Sequence, residues 1–181
     1  AAMSYLPSAP NANLLDCFQR QPAIAAPLHE FAHNLMRGPS PFTPLQRERI
    51  AAHVSHHNGC AFCRDSHNEV VRHFGGAPEP QEAPQADDPL APVLAYVQRL
   101  NAEPASIRQA DVDAVLAAGW DETAVEHAVL VCGFFNLMNR WVEGLGIPTD
   151  AETVKMAGRM LHDKGYRGVS EALSQQSQAS A

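Results

Sequence analysis

No run of about eighteen apolar residues occurs in the chain, so no segment reads as a membrane-spanning helix. Basic residues are scarce. Lys and Arg number 13 against 20 Asp and Glu, which gives a formal net charge of −7 and a pI of about 5.6. They form no cluster of the kind that a nucleic-acid-binding face requires. Period-two alternation of useful length is absent too, so strands are not expected and a thioredoxin-type βαβ unit is not readable. Cysteine is limited to Cys17, Cys60, Cys63 and Cys132, too few for a disulfide-stapled secreted scaffold. Ala1 to Asn13 lacks the basic region and apolar core of a signal peptide, so a cytoplasmic location is expected.

What remains is helical periodicity cut by Pro and Gly. The 181 residues, 45% of them hydrophobic, suit one domain with its own core. Apolar positions recur at helical spacing from Leu14 to Arg37, with a break at Pro22. Thr43-Pro44 opens a helix that Asn58-Gly59 ends, and a second helix runs from the cysteine pair to Phe74. Further helices cover 93–100 and 109–118, then a long one capped by Asp121 reaches Gly144, and a last one starts at Pro148-Thr149. The expected fold class is all-α, with seven or eight helices in a single domain over 14–168. Residues 1–13 read as an irregular lead-in, 77–92 as a Pro-rich surface loop inside the domain, and 169–181 as a disordered Ser/Gln/Ala tail.

The chemistry concentrates in Asn58-Gly59-Cys60-Ala61-Phe62-Cys63-Arg64-Asp65-Ser66-His67. Cys60, Cys63 and His67 fall at i, i+3 and i+7, one stripe of a helix. The pair lies in the first helical turn, where free backbone N–H groups favour a thiolate. His67 is placed to act as a base toward Cys63, and Glu48 on the preceding helix is a candidate to orient it. Three readings stay open on these residues alone. One is a dithiol redox site. Another is a metal site, as in a non-catalytic redox or zinc sensor, drawing on His53, His56, His57, Cys60, Cys63 and His67. The third is two cysteines that are neighbours without chemistry.

Glu48, eleven residues, then Cys60-x-x-Cys63-x-x-x-His67 resembles the active-site signature of the alkylhydroperoxidase D (AhpD)-like family. That family belongs to the carboxymuconolactone decarboxylase superfamily. The lead-in 45–51 and the Asn58-Gly59-Cys60 turn are similar as well, and 128–140 resembles the second half of the peroxidase-related branch. The resemblance covers about residues 20–165. It implies an all-helical subunit that assembles as a homo-oligomer (dimer, trimer or hexamer) and an antioxidant oxidoreductase that reduces organic hydroperoxides or hydrogen peroxide. It implies that Cys63 attacks the peroxide, that Cys60 resolves the sulfenic acid as a redox-active disulfide, and that Glu48 and His67 relay the proton. No tightly bound cofactor or metal is implied; an external dithiol, such as a lipoyl-bearing protein, would regenerate the site. Some members carry a histidine where this chain has Phe62. The decarboxylase branch proper lacks the dithiol.

Besides Glu48, Cys60, Cys63 and His67, the residues His53, Phe62, Asn136 and Asn139 are candidates to line the pocket. Cys17 and Cys132 sit among apolar neighbours and read as buried small hydrophobes. Trp120, Trp141 and His127 read as packing residues.

Overall fold

The fold is organised around α3 (Pro44–His57), a helix buried on nearly every side. A helix with this burial lies at the centre of a bundle rather than on its surface. It packs on α4 (Ala61–His73), α5 (Ala91–Ala102) and α7 (Glu122–Gly144), and touches α2 (Pro22–Arg37). The computed structural model describes residues 3–79 and 87–179, and among these there is no strand. The remaining elements are α1 (Leu14–Arg20), a single 3-10 turn at Pro104–Ser106, α6 (Gln109–Ala117), α8 (Ala151–Lys164) and α9 (Arg167–Ala179).

Local chemistry fixes where α3 starts and stops. Thr43 Oγ1 accepts from Gln46 N at 3.2 Å, Gln46 Oε1 accepts from Thr43 N at 2.9 Å, and Pro44 occupies the first turn. Such a box contributes about 1 kcal/mol. At the other end Gly59 takes φ +72°, a backbone region that side chains rarely adopt, and this reverses the chain into α4.

A central helix carrying Arg47, Glu48 and Arg49 must pair its charges. Arg47 Nη1 donates to the carbonyls of Leu35 and Gly38, both at 2.9 Å, and so satisfies the free C-terminal end of α2. Arg49 bridges Glu79 (Nε to Oε1, 2.7 Å) and Asp88 (Nη2 to Oδ2, 2.5 Å). These two carboxylates flank residues 80–86, so α3 clamps both ends of the expected Pro-rich loop. Residues 80–86 of that loop lie outside the described residues.

The long helix α7 supplies the other wall of the core. Asp121 Oδ1 accepts from Ala124 N at 2.8 Å and caps it. Its buried stripe includes Val125, Ala128, Cys132, Phe135, Met138 and Val142, which matches the helical period read from the sequence. Helix α8 packs closely on α4 because Gly158 has no side chain; a methyl there would collide with Glu69. Its N-cap is Asp150, two residues beyond Pro148.

The C-terminal segment departs from expectation. Residues 167–179 are helical, and the first of them pack on α2, where a disordered tail was expected from 169. Val169 and Leu173, at i and i+4, bury 5% and 3% exposed, and Tyr166 beside them is 5% exposed. Two apolar positions and a tyrosine are enough to dock a short Ala/Glu/Gln helix, though its composition looks like a linker. This brings the described helices to nine.

Candidate active site

Helix α4 presents Phe62, Cys63, Ser66 and His67 along one face, the spacing i, i+1, i+4, i+5 that a helix aligns. They line a cavity of about 330 Å³. Phe18 of α1, Phe135 and Met138 of α7, Met160 of α8 and Val169 of α9 close most of its wall. Leu15 and Met156, 39% and 67% exposed, mark its outer rim. Cys63 is 5% exposed and faces this cavity, whereas Cys60, at the N-cap of α4, is fully buried and takes no part in the wall.

The second structural component is Glu48, 0% exposed at the heart of α3. His67 Nδ1 lies 2.7 Å from Glu48 Oε2, and Arg37 Nη2 lies 2.7 Å from Oε1. The Tyr166 hydroxyl donates to the same carboxylate at 3.2 and 3.3 Å. Burial pushes the Glu48 carboxyl up, but the hydrogen bond and charge of His67 and the charge of Arg37 outweigh it, so its pKa falls below the ordinary value. An ionised carboxylate only accepts, so His67 carries its ring proton on Nδ1 and Nε2 becomes the basic nitrogen. Arg37 is held in turn by the Leu161 carbonyl at 3.0 Å and by the Tyr166 and Phe74 rings, 5.4 and 5.6 Å from its guanidinium carbon. The Phe135 ring meets His67 edge-on at 4.4 Å and fixes its plane.

The two thiols differ. The hydrogen bond with Cys63 and then burial push the Cys60 thiol far above its ordinary range. Cys60 is thus a protonated thiol at neutral pH. Cys63 is the member of the pair with access to the cavity.

Of the sequence candidates, Cys60, Cys63, His67 and Glu48 come together, and Phe62 lines the cavity. His53, Asn136 and Asn139 do not line it, which corrects the expectation. His53 follows Glu48 by five residues, about 140° around the helix, so it faces away. Its ring packs on His57 at 4.5 Å, and burial with the neighbouring His57 and His56 lowers its pKa to about 4. Asn58, the C-cap of α3, donates to Asn139 Oδ1 at 2.8 Å and to Asn136 Oδ1 at 3.3 Å, and Asn139 donates to Ser55 Oγ at 3.0 Å. The asparagines therefore fasten the turn before Cys60 to α7. No group of three or more His, Cys, Asp or Glu among the described residues is arranged to hold a metal.

Sequence reading missed Arg37, Tyr166 and Ser66. A buried Glu48 requires a cation, which is a signal that some Lys or Arg must reach it, but nothing local says that it ends α2. Ser66 Oγ is buried, lines the cavity and has no hydrogen-bond partner among the described residues. Cys17, read as a small hydrophobe, is buried in the same satellite apolar cluster as Cys60, Phe62 and Cys63.

In structure the chain resembles a peroxidase-related protein from Silicibacter sp. TM1040, with 26% identity, TM-score 0.66, and 77% of this chain and 76% of that one covered. It also resembles the alkylhydroperoxidase AhpD core of a peroxidase-related protein from Ralstonia eutropha JMP134, with 18% identity, TM-score 0.69, and 78% of each chain covered. The fold is AhpD-like. No family model and no curated protein sequence matches the chain. Among the described residues of this AhpD-like chain, no helix is long and apolar enough to cross a membrane. The structural neighbours are named as peroxidase-related proteins, and the Cys60-x-x-Cys63 pair is present in this chain.

Proposed function

We propose that the chain is a thiol-dependent peroxidase that reduces hydroperoxides through Cys60 and Cys63. The observation that carries this reading is the buried Glu48–His67 pair, 2.7 Å apart, whose histidine lines the same apolar cavity as Cys63. His67 Nε2 takes the proton from Cys63, and the thiolate attacks the peroxide. The His67 imidazolium, stabilised by Glu48, then returns that proton to the leaving alkoxide. Cys63 becomes a sulfenic acid. Cys60 is kept as a thiol until then, so it does not compete for peroxide. It attacks the sulfenic sulfur, water leaves, and a Cys60–Cys63 disulfide results. The first turn of α4 is the place in the helix where this closure disturbs least backbone hydrogen bonding.

An external dithiol, such as a lipoyl-bearing protein, would reopen the disulfide, and a reducing cytoplasm suits a site used in its dithiol form. Assembly into a homo-oligomer is part of this reading. Leu130 and Leu137, 51% and 45% exposed on one face of α7, with Phe31 of α2 at 47%, supply apolar surface for it. The test is stopped-flow consumption of peroxide by the reduced protein. Wild type should consume about one equivalent per dithiol, and Cys63→Ser should consume none; full consumption by Cys63→Ser would remove Cys63 from the chemistry.

A further inference from the structure

Ser66 is 3% exposed, sits on the cavity face of α4, and its hydroxyl has no partner among the described residues. Buried helical serines ordinarily donate to the carbonyl four residues back. This one does not, and an orphaned hydroxyl destabilises the fold that carries it. It lies three residues after Cys63, so the two side chains are neighbours on the helix surface, with Cβ atoms about 5–6 Å apart. The cavity beyond them is walled by Phe18, Phe135, Met138 and Met160. Its ≈ 330 Å³ is of the size that holds small organic ligands, and roughly ten times the volume of one water.

We propose that Ser66 is the hydrogen-bonding anchor that holds the peroxide group of a bulky, apolar organic hydroperoxide against Cys63, while the cavity takes the hydrocarbon body. This rests on the peroxidase reading above, which already includes organic hydroperoxides, and adds to it the positioning role of Ser66. Ser66 donates to the inner oxygen of R–O–O–H, the oxygen that becomes the alkoxide. Cys63 sulfur forms a bond to the outer oxygen as the O–O bond breaks. Sulfur loses two electrons, the peroxide gains them, and the alkoxide takes the proton that His67 removed from Cys63, leaving R–OH and Cys63 sulfenic acid. Hydrogen peroxide has no body to bury, so it gains nothing from the apolar wall.

The experiment compares wild type with Ser66→Ala in three readouts. They are the second-order rate of Cys63 oxidation by cumene hydroperoxide, the same rate with hydrogen peroxide, and the Tm of the reduced protein. The expected result is a wild-type preference for cumene hydroperoxide of at least about tenfold. Ser66→Ala should lose roughly tenfold of that rate, one hydrogen bond's worth. Its Tm should rise, because the orphaned hydroxyl is gone. A merely structural serine would lower Tm and rate together. An unchanged cumene hydroperoxide rate in Ser66→Ala while Cys63 still oxidises overturns the anchor, equal wild-type rates for the two peroxides overturn the cavity's part in it, and either leaves the peroxidase reading standing. Failure of both peroxides to oxidise Cys63 overturns the peroxidase reading, and the Ser66 anchor falls with it.

Discussion

Glu48 Oε2 and His67 Nδ1 lie 2.7 Å apart at a point where the carboxylate has no exposure to solvent. The contact joins the central helix to the helix that carries both thiols, so it is at once a packing contact and the step that sets which histidine nitrogen is basic. Glu48→Gln keeps the shape and removes the charge. It should slow Cys63 oxidation by about 10²-fold or more, the range of a lost general base. It should also destabilise the fold by about 3 kcal/mol, because Arg37 loses its buried partner. Rates across pH 6–9 with unchanged magnitude and shape would remove Glu48 from the relay.

Two acidic stability windows should separate. His53 has its pKa lowered to about 4 by burial and by His57 and His56. The unfolded chain therefore binds a proton that the folded chain refuses, and stability falls as pH drops from about 6.5 toward 4. The shift corresponds to at most about 3 kcal/mol. Glu48 is lowered below its ordinary value, so its contribution is complete above the unfolded pKa of about 4.3 and is lost as pH falls through the folded value. Tm measured from pH 7 to 3 should show His53→Phe flattening the upper window only. A variant curve parallel to wild type would contradict it.

The docking of α9 is tested by truncation after Arg167, which keeps Tyr166 on Glu48 and removes Val169 and Leu173. Loss of two buried apolar side chains should cost about 3–5 kcal/mol. Chemical denaturation measures this. An unchanged midpoint would mean that residues 168–181 contribute nothing to the fold.

Tyr166 itself spans from the α8–α9 junction to α3. Tyr166→Phe removes the hydrogen bonds of 3.2 and 3.3 Å to Glu48 and should cost about 1 kcal/mol. The Glu48–His67 pair remains, so peroxide reduction should slow by less than about tenfold. A loss as large as that of Glu48→Gln would show that the phenol takes part in proton transfer.

The helices were legible because their punctuation is local: Thr43-Pro44, Asn58-Gly59, Asp121 and Gly144 each act within a turn of themselves. The four-residue site was legible for a related reason, since Glu48, Cys60, Cys63 and His67 all lie on two consecutive helices joined by one turn. Arg37 and Tyr166 were not, because each reaches Glu48 through tertiary packing, Tyr166 across 118 positions of sequence. His53 misled because proximity to the motif in sequence is not proximity on a helix; five residues turn it to the opposite side. The C-terminal helix was missed because composition alone hides what Val169 and Leu173 find to pack against. Ser66 was unreadable, since an orphaned hydroxyl is a property of its surroundings.

Division of labour between the two thiols is open to direct test by trapping. Reduced Cys60→Ser and Cys63→Ser proteins are treated with one equivalent of cumene hydroperoxide in the presence of dimedone, and the adduct is located by peptide mass spectrometry. A dimedone adduct is expected on Cys63 in Cys60→Ser and none on Cys60 in Cys63→Ser. An adduct on Cys60 in Cys63→Ser, formed as fast as the Cys63 adduct, would contradict it.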